Sequence, residues 1–222
     1  MNTELRIGFI DSGFAPHQAP RITQARRFWL EGDELRQGEP LPDALGHGCG
    51  VLDALCAQSE TVSVFSAQVF AGQWQTSPLQ IAAALYWLLE QNVSLINMSL
   101  GLRSDRPVLR EACAELQSAG VLLCASSPAQ GEPVYPASYP GVIRITGDAR
   151  CNPGQWSWLN SAQADFGAHV SRGSGLAGAS LACATLSGLI VGYLQEHPDA
   201  DRQSVFDWLS RGAAYTGQER RR

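Results

Sequence analysis

Between Thr61 and Ser126 the chain alternates between two kinds of segment, and this constrains the fold more than any other feature. TVSVFSAQVF (61–70) is dense in β-branched and aromatic residues and reads as a strand. SPLQIAAALYWLLEQN (77–92) opens with a serine cap and a proline at the first helical position, and its apolar residues then recur at helical spacing. VSLINMSL (93–100) is a short apolar strand, RPVLREACAELQSAG (106–120) an amphipathic helix closed by Gly120, and VLLCAS (121–126) another strand. Parallel strands need a crossover between them, and a helix is the usual one. The pattern therefore predicts an α/β protein, a mostly parallel sheet with helices on both faces. LRIGFI (5–10) and GVIRIT (141–146) add strands, and 51–57 a short helical segment. Residues 178–196 form the most apolar helix and 198–210 a last short one. The stretches 14–45 and 147–177 read as irregular, rich in turn residues.

At 222 residues the chain is expected to form one domain, 1–222, with a substantial core. Its net charge of −5 argues against nucleic acid as a partner. No run reaches the ~18 apolar residues of a membrane helix, so no membrane role is expected. The opening MNTELRIGFI places a charged residue where a signal peptide needs its apolar stretch, and the expected location is the cytoplasm. The six cysteines (Cys49, Cys56, Cys113, Cys124, Cys151, Cys183) are then expected to be reduced. None has C-x-x-C spacing, and no metal or cofactor is expected.

Open α/β sheets keep their function beyond the carboxyl ends of the strands. Asp11 directly follows the first strand, His47 lies between glycines in GHGCG, and Ser180 stands at the head of the long apolar helix. Each has a plain reading alone: a turn initiator, a loop histidine, a helix cap. Together they supply a nucleophile, a base that takes its proton near neutral pH, and a carboxylate that fixes the base's tautomer. One competing motif is Gly173-Ser-Gly175-Leu-Ala-Gly178, which matches G-x-G-x-x-G. A dinucleotide site needs a βαβ unit around it, and the residues after the helix offer no convincing strand.

The chain resembles the subtilisin-like serine proteases along almost its whole length. IGFIDSG is similar to the block around their aspartate and GHGCGVL to the histidine block. FSAQVF, a helix and SLINMSLG follow in order, and GASLACATLSG is similar to the serine block. The resemblance implies a three-layer subtilisin-like fold, with Asp11 orienting, His47 as base and Ser180 attacking. It implies that Ser99, Leu100 and Gly101 line a cleft where a peptide or protein substrate adds as an extended strand. SLGLRSD and ASSPAQG, with Ser126 and Ser127, are expected to wall the pocket for the residue before the scissile bond.

One departure bears on chemistry. Aligned without a gap between Gly120 and Gly131, the chain has Pro128 and Ala129 where the family has Gly-Asn. The asparagine amide helps hold the oxyanion, and alanine has no side-chain donor. Gln130, Ser126 or Ser127 are the candidate replacements, with the Ser180 N–H as a remaining donor. With the first strand read near residue 5, no inhibitory propeptide is expected, and no acidic calcium loop is read. The expected activity is restricted intracellular processing, removal of a leader peptide, with biosynthetic partner proteins. The alternatives are a general cytosolic protease and a subtilase-fold peptide binder that does not cut.

Overall fold

The computed structural model describes residues 4–59, 61–170 and 178–219. Among the described residues ten strands form a single sheet. At its centre lie β1 (Leu5–Asp11), β4 (Val62–Gln68), β5 (Leu95–Met98), β6 (Leu122–Ser126) and β7 (Ile143–Gly147). One edge is built from β2 (Ile22–Glu31) and β3 (Glu34–Gly38), the other from β8 (Trp156–Trp158), β9 (Phe166–Ala168) and β10 (Tyr215–Thr216). The spatial order is β10-β8-β9-β7-β6-β5-β1-β4-β2-β3. All neighbours are parallel except β2–β3 and β8–β9. The mostly parallel sheet predicted from the alternation is the one observed.

Among the described residues five α-helices cover the sheet: α1 (His47–Leu55), α2 (Pro78–Glu90), α3 (Pro107–Ser118), α4 (Ala179–Glu196) and α5 (Arg202–Gly212). Side chains alternate across a strand, so each core strand feeds two cores. Ile10, Phe65, Ala67, Ile96, Met98, Leu123 and Ala125 pack with α2 and α3. Ile7, Phe9, Val64, Leu95, Leu122, Cys124, Ile143 and Ile145 pack with α1, α4 and α5 on the opposite face. The start of α2 is as read: Ser77 accepts from the Gln80 N–H, and the Gln80 side chain accepts from the Ser77 N–H.

Two expectations need correcting. Residues 14–45 are not irregular: they hold a short 3₁₀ helix (Pro16–Arg21) and the antiparallel β2–β3 hairpin. The hairpin turns at Gly32-Asp33, with Gly32 at φ 62°, between strands exposed enough to blur the apolar alternation. Within 147–170 the three-residue strands β8 and β9 extend the sheet. In the competing glycine motif, residues 173 to 177 lie outside the described residues.

The helices α1 and α4 meet where Gly188 faces the carbonyl of Leu55. A Cβ on Gly188 would stand 2.6 Å from that oxygen and 3.2 Å from the Ala54 oxygen. Both obstacles are backbone, so the seam must open to admit a methyl group. Gly188→Ala is expected to cost about 1–3 kcal/mol of stability by overpacking. Chemical denaturation checks this, and an unchanged midpoint would mean that the seam is loose.

Candidate active site

Asp11 is the last residue of β1, on the face that also carries Ile7 and Phe9, and hence beneath α1. It is fully buried. Its Oδ1 accepts from the Ser12 N–H at 2.7 Å and the Ser12 hydroxyl at 3.2 Å, and it lies 2.7 Å from His47 Nδ1. The Ser12 hydroxyl in turn accepts from the Gly48 N–H at 2.9 Å. Ser12 thus ties the carboxylate to the first turn of the helix that carries the histidine.

His47 is the first residue of α1 and Ser180 the second of α4. Each helix is entered through a glycine with positive φ, Gly46 at 71° and Gly178 at 78°. That backbone turns the chain sharply into the helix and favours glycine. Ser180 therefore does not cap its helix; Gly178 holds that position, and no side-chain cap is made. His47 is a helix-start residue rather than a loop histidine.

Ser180 is brought to Asp11 through β5. The Ile10–Met98 register places Ser99, just past β5, beside Asp11. The Ser99 hydroxyl donates to the Ser180 carbonyl at 3.1 Å, and the Ser180 hydroxyl donates to the Ser99 carbonyl at 3.3 Å. Behind them, buried Ser187 of α4 donates to Asn97 Oδ1 at 3.1 Å, and Asn97 Nδ2 donates to Ser99 Oγ at 3.0 Å. A polar chain thus fixes the start of α4 against β5. Among the described residues no hydrogen bond joins Ser180 to His47. Such bonds are often long in the absence of substrate.

A second tie sits on the histidine side. Asp43 accepts from the Leu45 and Gly46 N–H groups with Oδ1 and from the Cys49 N–H with Oδ2. It therefore satisfies donors at the start of α1, where a carboxylate also suits the helix dipole. Burial alone would raise the Asp43 carboxyl, but the hydrogen bonds hold it below its ordinary value. Gln68 of β4 completes the frame, donating to the Ser12 and Leu41 carbonyls and accepting from the Leu41 N–H. Sequence reasoning missed Asp43, Gln68, Asn97 and Ser187. Asn97 carried a readable signal, as a lone amide inside an apolar strand.

Burial of His47 opposes the charged ring. The hydrogen bond to Asp11 and the negative charges of Asp11 and Asp43 outweigh it, so the imidazole is raised above 6.5.

The expected cleft residues fall beyond the strand ends. Ser99 and Leu100 are buried and Gly101 is exposed. Across from them Ser126 ends β6, and the Ser127 hydroxyl donates to the Gln163 carbonyl at 2.6 Å. Ser127 is thereby occupied, which removes it as a free oxyanion donor. Ala129 and Gln130 are exposed. His169 and His197 bond the Cys151 and Tyr193 carbonyls, His17 is exposed, and none of the three joins the site.

All six cysteines are free. Burial and then Asp43 push the half-buried Cys49 thiol up to about 12. Burial raises Cys113 and Cys124 to about 12 and Cys183 well above its ordinary value. At pH 8 a thiol of pKa 12 is about 10⁻⁴ thiolate, and the thiolate is the nucleophile. The folded protein is expected to resist iodoacetamide at pH 8 and to label fully only when unfolded. Rapid stoichiometric alkylation of Cys49 in the native protein, read by mass, would contradict this.

The sheet order, the two helix starts and the Asp–His pair define a subtilisin-like α/β fold. Two solved structures share it: S41 psychrophilic protease (TM-score 0.71, 18% identity, 95% of this chain and 83% of that one) and sphericase (0.67, 16%, 94% and 84%). Among curated proteins, the chain is 24% identical to subtilisin DY of Bacillus licheniformis over 96% of its own length and 85% of that protein. It is 26% identical to the thermostable alkaline protease of Halalkalibacterium halodurans over 63% of its length. It is 29% identical to the minor extracellular protease Epr of Bacillus subtilis over 64%. The last two matches span only 40% and 23% of those longer relatives. Comparison with protein-family profiles found no match. The chain is thus similar in sequence to subtilisins and alkaline proteases, and it shares a fold with the two solved proteases.

Proposed function

We propose that the protein is a serine endopeptidase using Asp11, His47 and Ser180. The observation that carries this reading is the 2.7 Å Asp11–His47 pair at the end of β1, with Ser180 opening the neighbouring helix beside Ser99. A peptide laid along Ser99, Leu100 and Gly101 presents its carbonyl to the Ser180 hydroxyl. Oγ bonds to the carbonyl carbon while its proton passes to His47 Nε2, and Asp11 steadies the resulting imidazolium. The Ser180 N–H faces the developing oxyanion. The C–N bond then breaks and His47 returns the proton to the departing amine. Water, deprotonated by the same ring, releases the acyl group.

The finer reading is restricted processing inside the cell, the removal of a leader peptide from a partner protein. Six free cysteines fit a reducing compartment. The Ala129 position deprives the oxyanion of a side-chain donor, which suits a single slow cut better than bulk digestion. A leader-peptide protease of the kind acting in quinohemoprotein amine dehydrogenase biogenesis is the specific form of this reading. Ala129 also favours a second reading, a peptide-binding protein that does not cut.

Intact mass after fluorophosphonate treatment tests the chemistry. Ser180 Oγ displaces fluoride from phosphorus and its proton leaves through His47. One adduct, absent from Ser180→Ala, is the expected result. No adduct on folded protein would favour the binding reading. A panel of leader-bearing and unrelated proteins then separates one cut from general digestion.

A further inference from the structure

Trp74 has the most exposed large apolar side chain among the described residues, at 62%. It stands in the segment AGQWQT (71–76) between β4 and α2, which contains no ionisable residue. Its indole is not idle on the surface. The ring centroid lies 5.0 Å from that of His47 with the planes at 88°, and 5.7 Å from that of Phe70, which is buried. An edge-to-face pair at this separation is an attractive aromatic geometry.

The neighbourhood of His47 gives this contact a purpose. The imidazole is held at one nitrogen, Nδ1, by Asp11. Among the described residues nothing hydrogen-bonds its other nitrogen. A ring pinned at one corner can swing about that bond, and a base displaced by about 1 Å can lose about 10²-fold in rate. The charged groups facing the ring are Asp11 from β1 and Asp43 from the segment before α1; both draw on its charge and neither bars the swing. The indole, set at right angles to the ring, does.

We propose that Trp74 is a positioning residue, an aromatic stop that keeps the His47 imidazole in line between Asp11 and Ser180. This rests on the protease reading above. Trp74 acts through His47, so its loss slows the proton transfer that activates Ser180 even toward a reagent with no peptide to bind.

The test has two arms. The first is the second-order rate of fluorophosphonate labelling at Ser180. Trp74→Ala is expected to label about tenfold more slowly and Trp74→Phe, which keeps a ring, within about threefold of wild type. The second arm needs no catalysis. A protonated imidazole quenches an adjacent indole, so wild-type emission should rise with pH as His47 loses its proton. That step is expected to vanish in both Trp74→Phe and His47→Gln. Labelling of Trp74→Ala at the wild-type rate, or an emission step that survives in Trp74→Phe, overturns the proposal. If Trp74→Ala misfolds, Trp74→Phe still decides the second arm. Unlabelled wild-type protein sinks the protease reading, and the Trp74–His47 coupling then stands or falls on the fluorescence alone.

Discussion

Asp11→Asn is expected to slow the labelling of Ser180 by about 10⁴-fold while the protein stays folded. The amide keeps the size of the carboxylate but can present a donor where His47 Nδ1 needs an acceptor. The ring is then held in the tautomer that leaves no lone pair facing Ser180. The pH profile should move as well. In the wild type the net effect of Asp11 and Asp43 raises His47 above 6.5, and the base works only when neutral. The acid limb of the rate therefore has its midpoint above pH 6.5. In Asp11→Asn burial remains and a negative charge is gone, so the residual limb shifts to lower pH. The same raised value contributes stability that is full below pH 6.5 and is lost as pH climbs through the folded-state value. Labelling rates across pH 5–9 check both statements. A rate within tenfold of wild type would remove Asp11 from the mechanism.

Ala129→Asn is expected to act in the opposite direction, raising turnover by about 10²-fold. Loss of one side-chain oxyanion donor typically costs ~10²–10³ in turnover, and the substitution places a donor where the resemblance to subtilisin-like proteases implies one. Ala129 is exposed, so little stability is at stake. The gain should appear in kcat with KM nearly unchanged, because the donor meets charge that exists only in the transition state. An unchanged kcat would mean that another donor already fills the hole. Gln130 is then the group to remove, since the Ser127 hydroxyl is committed to the Gln163 carbonyl.

The central strands and helices were legible because their signals are local. A proline after a serine cap starts α2 wherever it stands, and an apolar run between turns pairs wherever it lands. The place of Asp11 beside the first strand was legible for the same reason; the structure makes it that strand's last residue, on the face of Ile7 and Phe9. The β2–β3 hairpin escaped because its strands are half-solvated, and its only clear mark is the Gly32-Asp33 turn. The supports of the site escaped for a different reason. Gln68 and Ser187 act across long sequence separations, and their meaning comes from groups that folding brings near. Asp43 binds N–H groups only a few residues on, but those become free donors only once α1 starts there. Trp74 carried no pattern at all; an indole in a polar loop becomes informative only once a histidine lies 5.0 Å away.

The contact of Gly188 with Leu55 has a meaning beyond packing. Leu55 lies eight residues along α1 from His47, and Gly188 eight residues along α4 from Ser180. At 1.5 Å per residue each arm is about 12 Å long. On the protease reading, His47 and Ser180 are therefore the tips of two equal levers that share one fulcrum. A change of about 5° in the angle between the helices at that fulcrum moves the tips by about 1 Å relative to one another, the scale on which proton transfer succeeds or fails. On that reading the alignment of His47 with Ser180 is gauged at the Gly188–Leu55 seam, about 12 Å along each helix from either residue.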